Sequence, residues 1–165
     1  MSTTTRQQKT PPYVTSYEPG VRYRVWFRVG NTFMRALLRS RLGERMQGLS
    51  ILTFTGRRTG KRYSVPVSVI DLDGSPIVLT ASPWKANLRG ADVEVRAGRT
   101  THRMRATLVE DPERVADVYE TLLPAVGVAH AKRLGLVLAG NRLPTREELI
   151  EGIGGRRAVI ALVDR

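Results

Sequence analysis

Cysteine is absent from this 165-residue chain, which excludes disulfides and thiolate metal sites. Histidine is nearly absent: His102 and His130 stand far apart in sequence, so a dedicated metal centre lacks ligands and none is expected. No apolar run approaches the roughly 20 residues of a membrane-spanning helix, and the opening MSTTTRQQKTPPY lacks the apolar core of a secretory signal. The expected location is therefore cytoplasmic. Acidic residues are outnumbered, 15 against 27 basic, for a formal charge of +12. Such an excess attracts anions: nucleic acid, anionic lipid or a highly charged small molecule. Nucleic acid ranks last, because the basic residues are scattered, no recognition motif appears, and aromatics for base stacking are only 6% of the chain.

The familiar catalytic constellations are missing as well. There is no GxSxG elbow, no HExxH helix and no Cys/His pair. If the chain is an enzyme, a bound cofactor supplies the reactivity and the protein supplies binding, orientation and electrostatics.

The length suits one domain with a real core. Residues 1–18 are polar, carry Pro11 and Pro12 and show no periodicity, which reads as a flexible arm before a single domain over 19–165. From about Tyr23 to Met46 the spacing predicts a helix with Trp26, Val29, Phe33 and Leu37 on one line and Arg28, Arg35 and Arg39 on another face. Two readings stand: a helix docked on the domain with solvated arginines, or a basic amphipathic helix making peripheral contact with an anionic membrane surface.

Strands are expected over about 49–110. Leu49–Thr55 is β-prone, and Tyr63, Val65, Val67 and Val69 alternate with Ser64, Pro66 and Ser68. Pro66 cannot donate to a ladder, so its strand lies at an edge or is bulged. Asp73–Gly74 reads as a hairpin turn, followed by strands at 76–80, 93–97 and 104–108. Helices follow over about 112–152: Asp111–Pro112 starts one reaching about Leu122, interrupted by Pro124 and Gly127; a second spans about Val128–Leu138; Thr145 and Glu148 form a capping box for a third ending at Gly152. An apolar run within about 157–164 returns as a closing strand. The fold class is mainly β with helices (α+β), a small barrel of about six antiparallel strands with helical decoration.

The most distinctive stretch is TGRRTGKRYSVPVSV, Thr55–Val69, where Arg57, Arg58, Lys61 and Arg62 crowd a turn between two strands. It is not a P-loop: Gly56 and Gly60 are one residue too close, Arg62 occupies the metal-binding hydroxyl position, and a strand follows. Cationic side chains with backbone N–H groups opened by Gly56 and Gly60 suit phosphate or several carboxylates; a solvated hairpin tip is the plain alternative.

ILTFTGRRTGKRYSVPVSV, together with Trp84, Asn87 and Leu88 leading into DVEVRAG, resembles the deazaflavin-dependent nitroreductases, split β-barrel reductases that use coenzyme F420. The likeness covers about residues 30–110 well. It implies an anionic deazaflavin in a groove of the barrel, its phosphate and oligoglutamate tail held by Arg57, Arg58 and Lys61 with Thr59 and Gly60. The resemblance also implies that Tyr63, Val65, Pro66, Val67, Ala81, Ser82, Trp84, Lys85 and Asn87 contact the cofactor. Hydride then passes from reduced F420 to a flat acceptor such as a quinone, nitroaromatic or enone, with no side-chain nucleophile. Pairing into a homodimer is common in split barrels of this kind. Two differences stand out: only Ser82 and Pro83 separate Ala81 from Trp84, and Tyr63 stands where some members carry an arginine. Alternatives are an FMN-binding variant of the same fold and a non-enzymatic lipid or ligand binder at the membrane surface. From the residues alone, Trp84 reads equally as a barrel plug, Asn87 as a local cap, Lys85 as a solvated loop charge and Tyr119 as packing.

Overall fold

A computed structural model describes residues 11–17 and 49–165, so the helix expected over 23–46 and the first ten residues of the arm lie outside the described residues. Among the described residues nine strands alternate with a few helices: β1 (Val14–Ser16), β2 (Leu49–Thr55), β3 (Arg62–Ser68), β4 (Ile70–Leu72), β5 (Ser75–Thr80), β6 (Ala91–Ala97), β7 (Thr100–Val109), β8 (Leu136–Leu138) and β9 (Ala158–Asp164). Two α-helices, α1 (Pro112–Val126) and α2 (Arg146–Ile153), and two 3-10 helices, Pro83–Leu88 and Val128–Leu134, are the other elements among the described residues.

Seven strands form one antiparallel sheet in the order β3-β2-β6-β7-β9-β5-β4. Its two edge strands, β3 and β4, are consecutive in the chain and separated only by Val69. The sheet therefore curls into a half-barrel, and β3 comes against β5 beside the opposite edge. Pro66 sits on β3, paired only with Ile51 of β2, so its missing N–H costs no ladder bond on a free edge. The Asp73–Gly74 turn joins β4 to β5 with φ of 51° and 79°, the left-handed pair of a type I′ hairpin, and Asp71 accepts the Gly74 N–H at 2.7 Å.

Hydrophobic pattern and layering correspond. Inside the barrel, Leu52, Phe54, Val65, Val78, Val93, Val95, Ile160 and Leu162 form one core. A second core lies between the other face of β5 and β9 and the helices, and holds Ile77, Val115, Tyr119, Leu149, Ile153 and Val159. Strand β9 is thus covered on both faces, which accounts for its unbroken apolar run. Strands β6 and β7 alternate apolar with charged residues because their outer face is exposed.

The helical side departs from the sequence expectations in three ways. Helix α1 runs through Pro124 to Val126 rather than stopping near Leu122; Pro124 is exposed, and the helix ends at Gly127, φ 82°. The helix expected over 128–138 is a 3-10 helix stopped at Gly135 (φ 76°), after which β8 begins. Residues 14–16, read as part of the flexible arm, form β1 against β8, with Val14 fully buried. The capping box is present as expected: Glu148 N–H donates to Thr145 Oγ1 (3.3 Å) and Thr145 N–H to Glu148 Oε2 (2.8 Å).

A buried cation ties this side together. Arg157, 4% exposed, donates from Nε to Tyr119 Oη (2.5 Å), from Nη1 to the Gly135 carbonyl (2.7 Å) and from Nη2 to the Leu134 carbonyl (3.0 Å). No carboxylate pairs with it among the described residues. The carbonyls at the C-terminal end of the 3-10 helix carry partial negative charge and take that role. Burial pushes the Tyr119 hydroxyl above its ordinary value, with Arg157 opposing, so it stays neutral and donates to Leu134. No described helix is long and apolar enough to cross a membrane.

Two predictions follow from the packing of β1 and α2. A Cβ on Gly152 would stand 2.5 Å from Val14 Cβ and from its carbonyl oxygen. Helix propensity favours alanine by about 1 kcal/mol, whereas overpacking costs about 1–3 kcal/mol. Gly152→Ala is expected to lower the urea midpoint; a raised midpoint would show that β1 does not press on α2. Glu148, with Arg142 donating to both its oxygens and Thr145 N–H adding a third bond, is held down from 4.5 to about 2. Its folded value lies below its unfolded one, so its contribution is complete above the unfolded value and is lost as pH falls toward about 2. NMR titration of the Glu148 carboxyl should place its midpoint near that value; an ordinary midpoint would refute the bonding.

Candidate functional site: a basic turn braced by an aromatic stack

The hairpin between β2 and β3 is closed by Gly56 N–H to the Lys61 carbonyl and Gly60 N–H to the Gly56 carbonyl, both 2.8 Å. Gly60 takes φ 63°, a left-handed conformation that glycine adopts without a steric penalty. Gly56 is buried, and a Cβ there would lie 2.6 Å from the Tyr63 ring and 2.7 Å from Thr59 Oγ1. The hairpin is thus packed tightly against its own strand, and Tyr63 Oη and Thr59 Oγ1 are hydrogen-bonded at 3.0 Å.

Asn87 fastens the turn from outside. Its Oδ1 accepts the Arg57 N–H at 3.0 Å, and its Nδ2 donates to the Trp84 carbonyl at 3.0 Å. One amide therefore links the turn to the 3-10 helix Pro83–Leu88. Three rings lie behind it: Phe54 stacks between Tyr63 and Trp84, with centroids 5.8 Å away on each side and interplanar angles of 27° and 26°. Phe54 is buried while Tyr63 and Trp84 are half-exposed, so the stack reaches the surface at its two ends.

Arg57, Arg58 and Lys61 are exposed and pair with no carboxylate among the described residues. Neighbouring Arg62 differs: it opens β3 and pairs with Glu94 at 2.6 Å. The structure brings Arg57, Arg58, Thr59, Gly60, Lys61, Tyr63, Trp84 and Asn87 together at one end of the barrel. Ala81 and Ser82 are half-buried just before the 3-10 helix, where Thr80 Oγ1 holds the Ser82 N–H at 3.0 Å.

Other residues implied by the resemblance lie elsewhere. Val65 and Val67 point into the barrel core, 1% and 5% exposed, and Pro66 alternates to the outer face opposite Ile51. Lys85 is neither a solvated charge nor part of the turn: its side chain is 11% exposed, reaches the Arg156 carbonyl at 2.7 Å and pairs with Glu110 at 3.3 Å. Glu110 also pairs with Arg89, so it grips the segment carrying Trp84 and Asn87 within the 3-10 helix and just past its end. Sequence reasoning did not anticipate the Asn87–Arg57 bond or the Glu110 grip. The Trp-x-x-Asn spacing was the available signal, but its partner lies 30 positions away.

Removing the Asn87 amide should free the turn without unfolding the barrel. Asn87→Ala is expected to cost about 0.5–1.5 kcal/mol and to speed exchange of the Arg57 amide hydrogen by about tenfold or more. Asn87→Asp keeps the acceptor and should preserve most of the protection. Unchanged Arg57 exchange in Asn87→Ala would show that the turn is held by other means.

Residues 26–125 match the model of the F420H(2)-dependent quinone reductase family. No curated protein is significantly similar to the chain. Among solved structures, an F420-H2 dependent reductase (FDR-A) is 19% identical, with 70% of this chain and 94% of that one aligned and a TM-score of 0.39. A conserved hypothetical protein from Mycobacterium tuberculosis is 19% identical over 91% of this chain and 83% of its own, TM-score 0.45. A pyridoxamine 5'-phosphate oxidase-related, FMN-binding protein from Nostoc punctiforme is 12% identical over 84% and 80%, TM-score 0.47. With the family model spanning more than half of its length, the chain belongs to the F420H(2)-dependent quinone reductase family.

Proposed function

We propose that this protein is an F420H2-dependent reductase that grips the acidic appendage of the coenzyme at the basic turn and delivers hydride to a quinone. The carrying observation is the set of three cations on one braced hairpin, Arg57, Arg58 and Lys61, with no carboxylate partner among the described residues. Family membership supports the coenzyme, and the family's description supports a quinone acceptor. Nitroaromatic and enone acceptors share the needed flatness and electron deficiency.

The donor set fits such a coenzyme. Guanidinium forks match phosphate and carboxylate oxygens, and Lys61 adds a point charge. When bound, reduced F420 supplies the hydride. The chain's own contribution is positional: Asn87 and Tyr63 fix the turn, so little ordering is required on binding. The half-exposed rings of Trp84 and Tyr63 give a flat ring system an apolar surface from which water is excluded. Lys85, held by Glu110 and the Arg156 carbonyl, keeps the Trp84 segment in place and leaves anion contact to the turn.

Fluorescence titration of the intact protein with oxidised F420, and separately with FMN, tests this reading. Saturable F420 binding is expected. Joint reversal, Arg57→Glu with Arg58→Glu, should weaken it by at least about 100-fold, since each charge-assisted bond is worth about 1.5–3 kcal/mol. Arg96→Glu with Arg99→Glu, on the distant β6–β7 hairpin, should leave it intact. No F420 binding by the unaltered protein would end the proposal; tighter FMN binding would assign a flavin instead.

A further inference from the structure

The outer face of β2, β6, β7 and the end of β9 carries a charge pattern that the reductase reading does not use. Register places Arg103 of β7 directly across from Glu94 of β6, and one step beyond the Met104–Asp164 pair it neighbours Arg165. A cross-strand Glu–Arg pair is an ordinary stabilising contact, and like charges directly opposite are destabilising. Here Glu94 turns away to Arg62 at 2.6 Å. Asp92, the other carboxylate of this face, engages Arg165 at 2.8 Å and Arg105 at 3.2 Å. Arg103 is left beside a like-charged neighbour, with no carboxylate of its own among the described residues.

An open cavity of about 310 Å³ lies at this spot, walled by Arg62, Arg103 and Arg165 with the carboxylates Asp92 and Glu94, and floored by Thr53 and Thr55. It includes no residue of the 56–61 turn. Phe54 stacks its ring inside the barrel and also borders the cavity, while Thr53 and Thr55 on either side of it face outward.

The geometry points to a second anion site on this outer face, where the phosphate or carboxylate group of a small ligand sits between the Arg103 and Arg165 guanidiniums. An oxyanion there bridges the two neighbouring guanidiniums, Arg103 through two N–H groups and Arg165 through those that do not hold Asp92. The Thr55 hydroxyl, exposed and without a partner among the described residues, adds a donor at the rim. The volume falls at the low end of the roughly 300–1,000 Å³ of small-molecule sites, which suits a compact phosphorylated or carboxylic compound.

The test is a pair of NMR titrations of the full chain at constant ionic strength, one with inorganic phosphate and one with acetate. The expected result is saturable shifts at the amides of Thr53, Thr55, Glu94 and Arg103, with a dissociation constant tighter than about 10 mM for at least one anion. The tighter anion identifies the group recognised. Arg103→Gln, which removes a side chain with no described partner, should weaken binding by about tenfold or more, a loss of one charge-assisted bond. Arg57→Gln with Arg58→Gln should leave it unchanged, which separates this site from the coenzyme turn. Non-saturating shifts, shifts confined to residues 56–61, or full binding by Arg103→Gln would each overturn the assignment.

Discussion

A single residue decides the shape of this protein. Seven strands laid flat, about 4.8 Å apart, would separate the edge strands by roughly 29 Å. The chain crosses from one edge, β3, to the other, β4, through Val69 alone, a span of only about 3.5 Å per extended residue. The sheet has to roll until its edges meet, and right-handed strand twist lets it do so. Rolling creates an enclosed interior, which Leu52, Phe54, Val65, Val78 and Ile160 fill. It also leaves the β2–β3 hairpin projecting from one end of the barrel, where the 3-10 helix Pro83–Leu88 can reach it. The basic turn's position is thus a consequence of closure, and its rigidity a consequence of Asn87.

Much of this architecture was legible because it is local. Alternation on β6 and β7, the Asp73–Gly74 turn, the Asp111 cap and the Thr145–Glu148 box each depend on residues a few positions apart. Pro66 pointed to an edge or a bulge, and its strand lies at the edge. What escaped is non-local. Strand β1 has three residues, too few to show a period, and its partner β8 lies more than 100 positions away. The 3-10 helix at 128–134 has helical composition and is cut short by Gly135, where Arg157 occupies the space that a Cβ would need.

The candidate site divides in the same way. The cation cluster could be read directly, because Arg57, Arg58 and Lys61 within five positions of a tight turn share one tip, while Arg62 opens the strand and pairs with Glu94. The roles of Val65, Val67 and Lys85 could not. Valines on an alternating strand line either face until the sheet's curvature selects the inside, and a lysine in a loop looks solvated until Glu110 and the Arg156 carbonyl are seen around it.

Where the carboxylates sit distinguishes the described cations from one another. Asp92, Glu94, Glu110, Asp117, Glu120 and Glu148 are each engaged by an arginine or lysine, and none of these pairs uses Arg57, Arg58 or Lys61. Exposed pairs of this kind add little stability individually, a median of about 0–1 kcal/mol. Their larger effect is spatial: among the described residues they occupy carboxylates elsewhere and leave Arg57, Arg58 and Lys61 unpaired at the turn. Arg157 is the instructive contrast, because a cation kept for the fold is buried and saturated by fixed carbonyl and hydroxyl oxygens. Cations kept for a ligand must instead remain in water on a rigid support, available to an anion that the chain itself does not supply. Arg57, Arg58 and Lys61 meet both conditions, exposed side chains on a hairpin whose backbone is bonded at Gly56, Gly60 and Arg57.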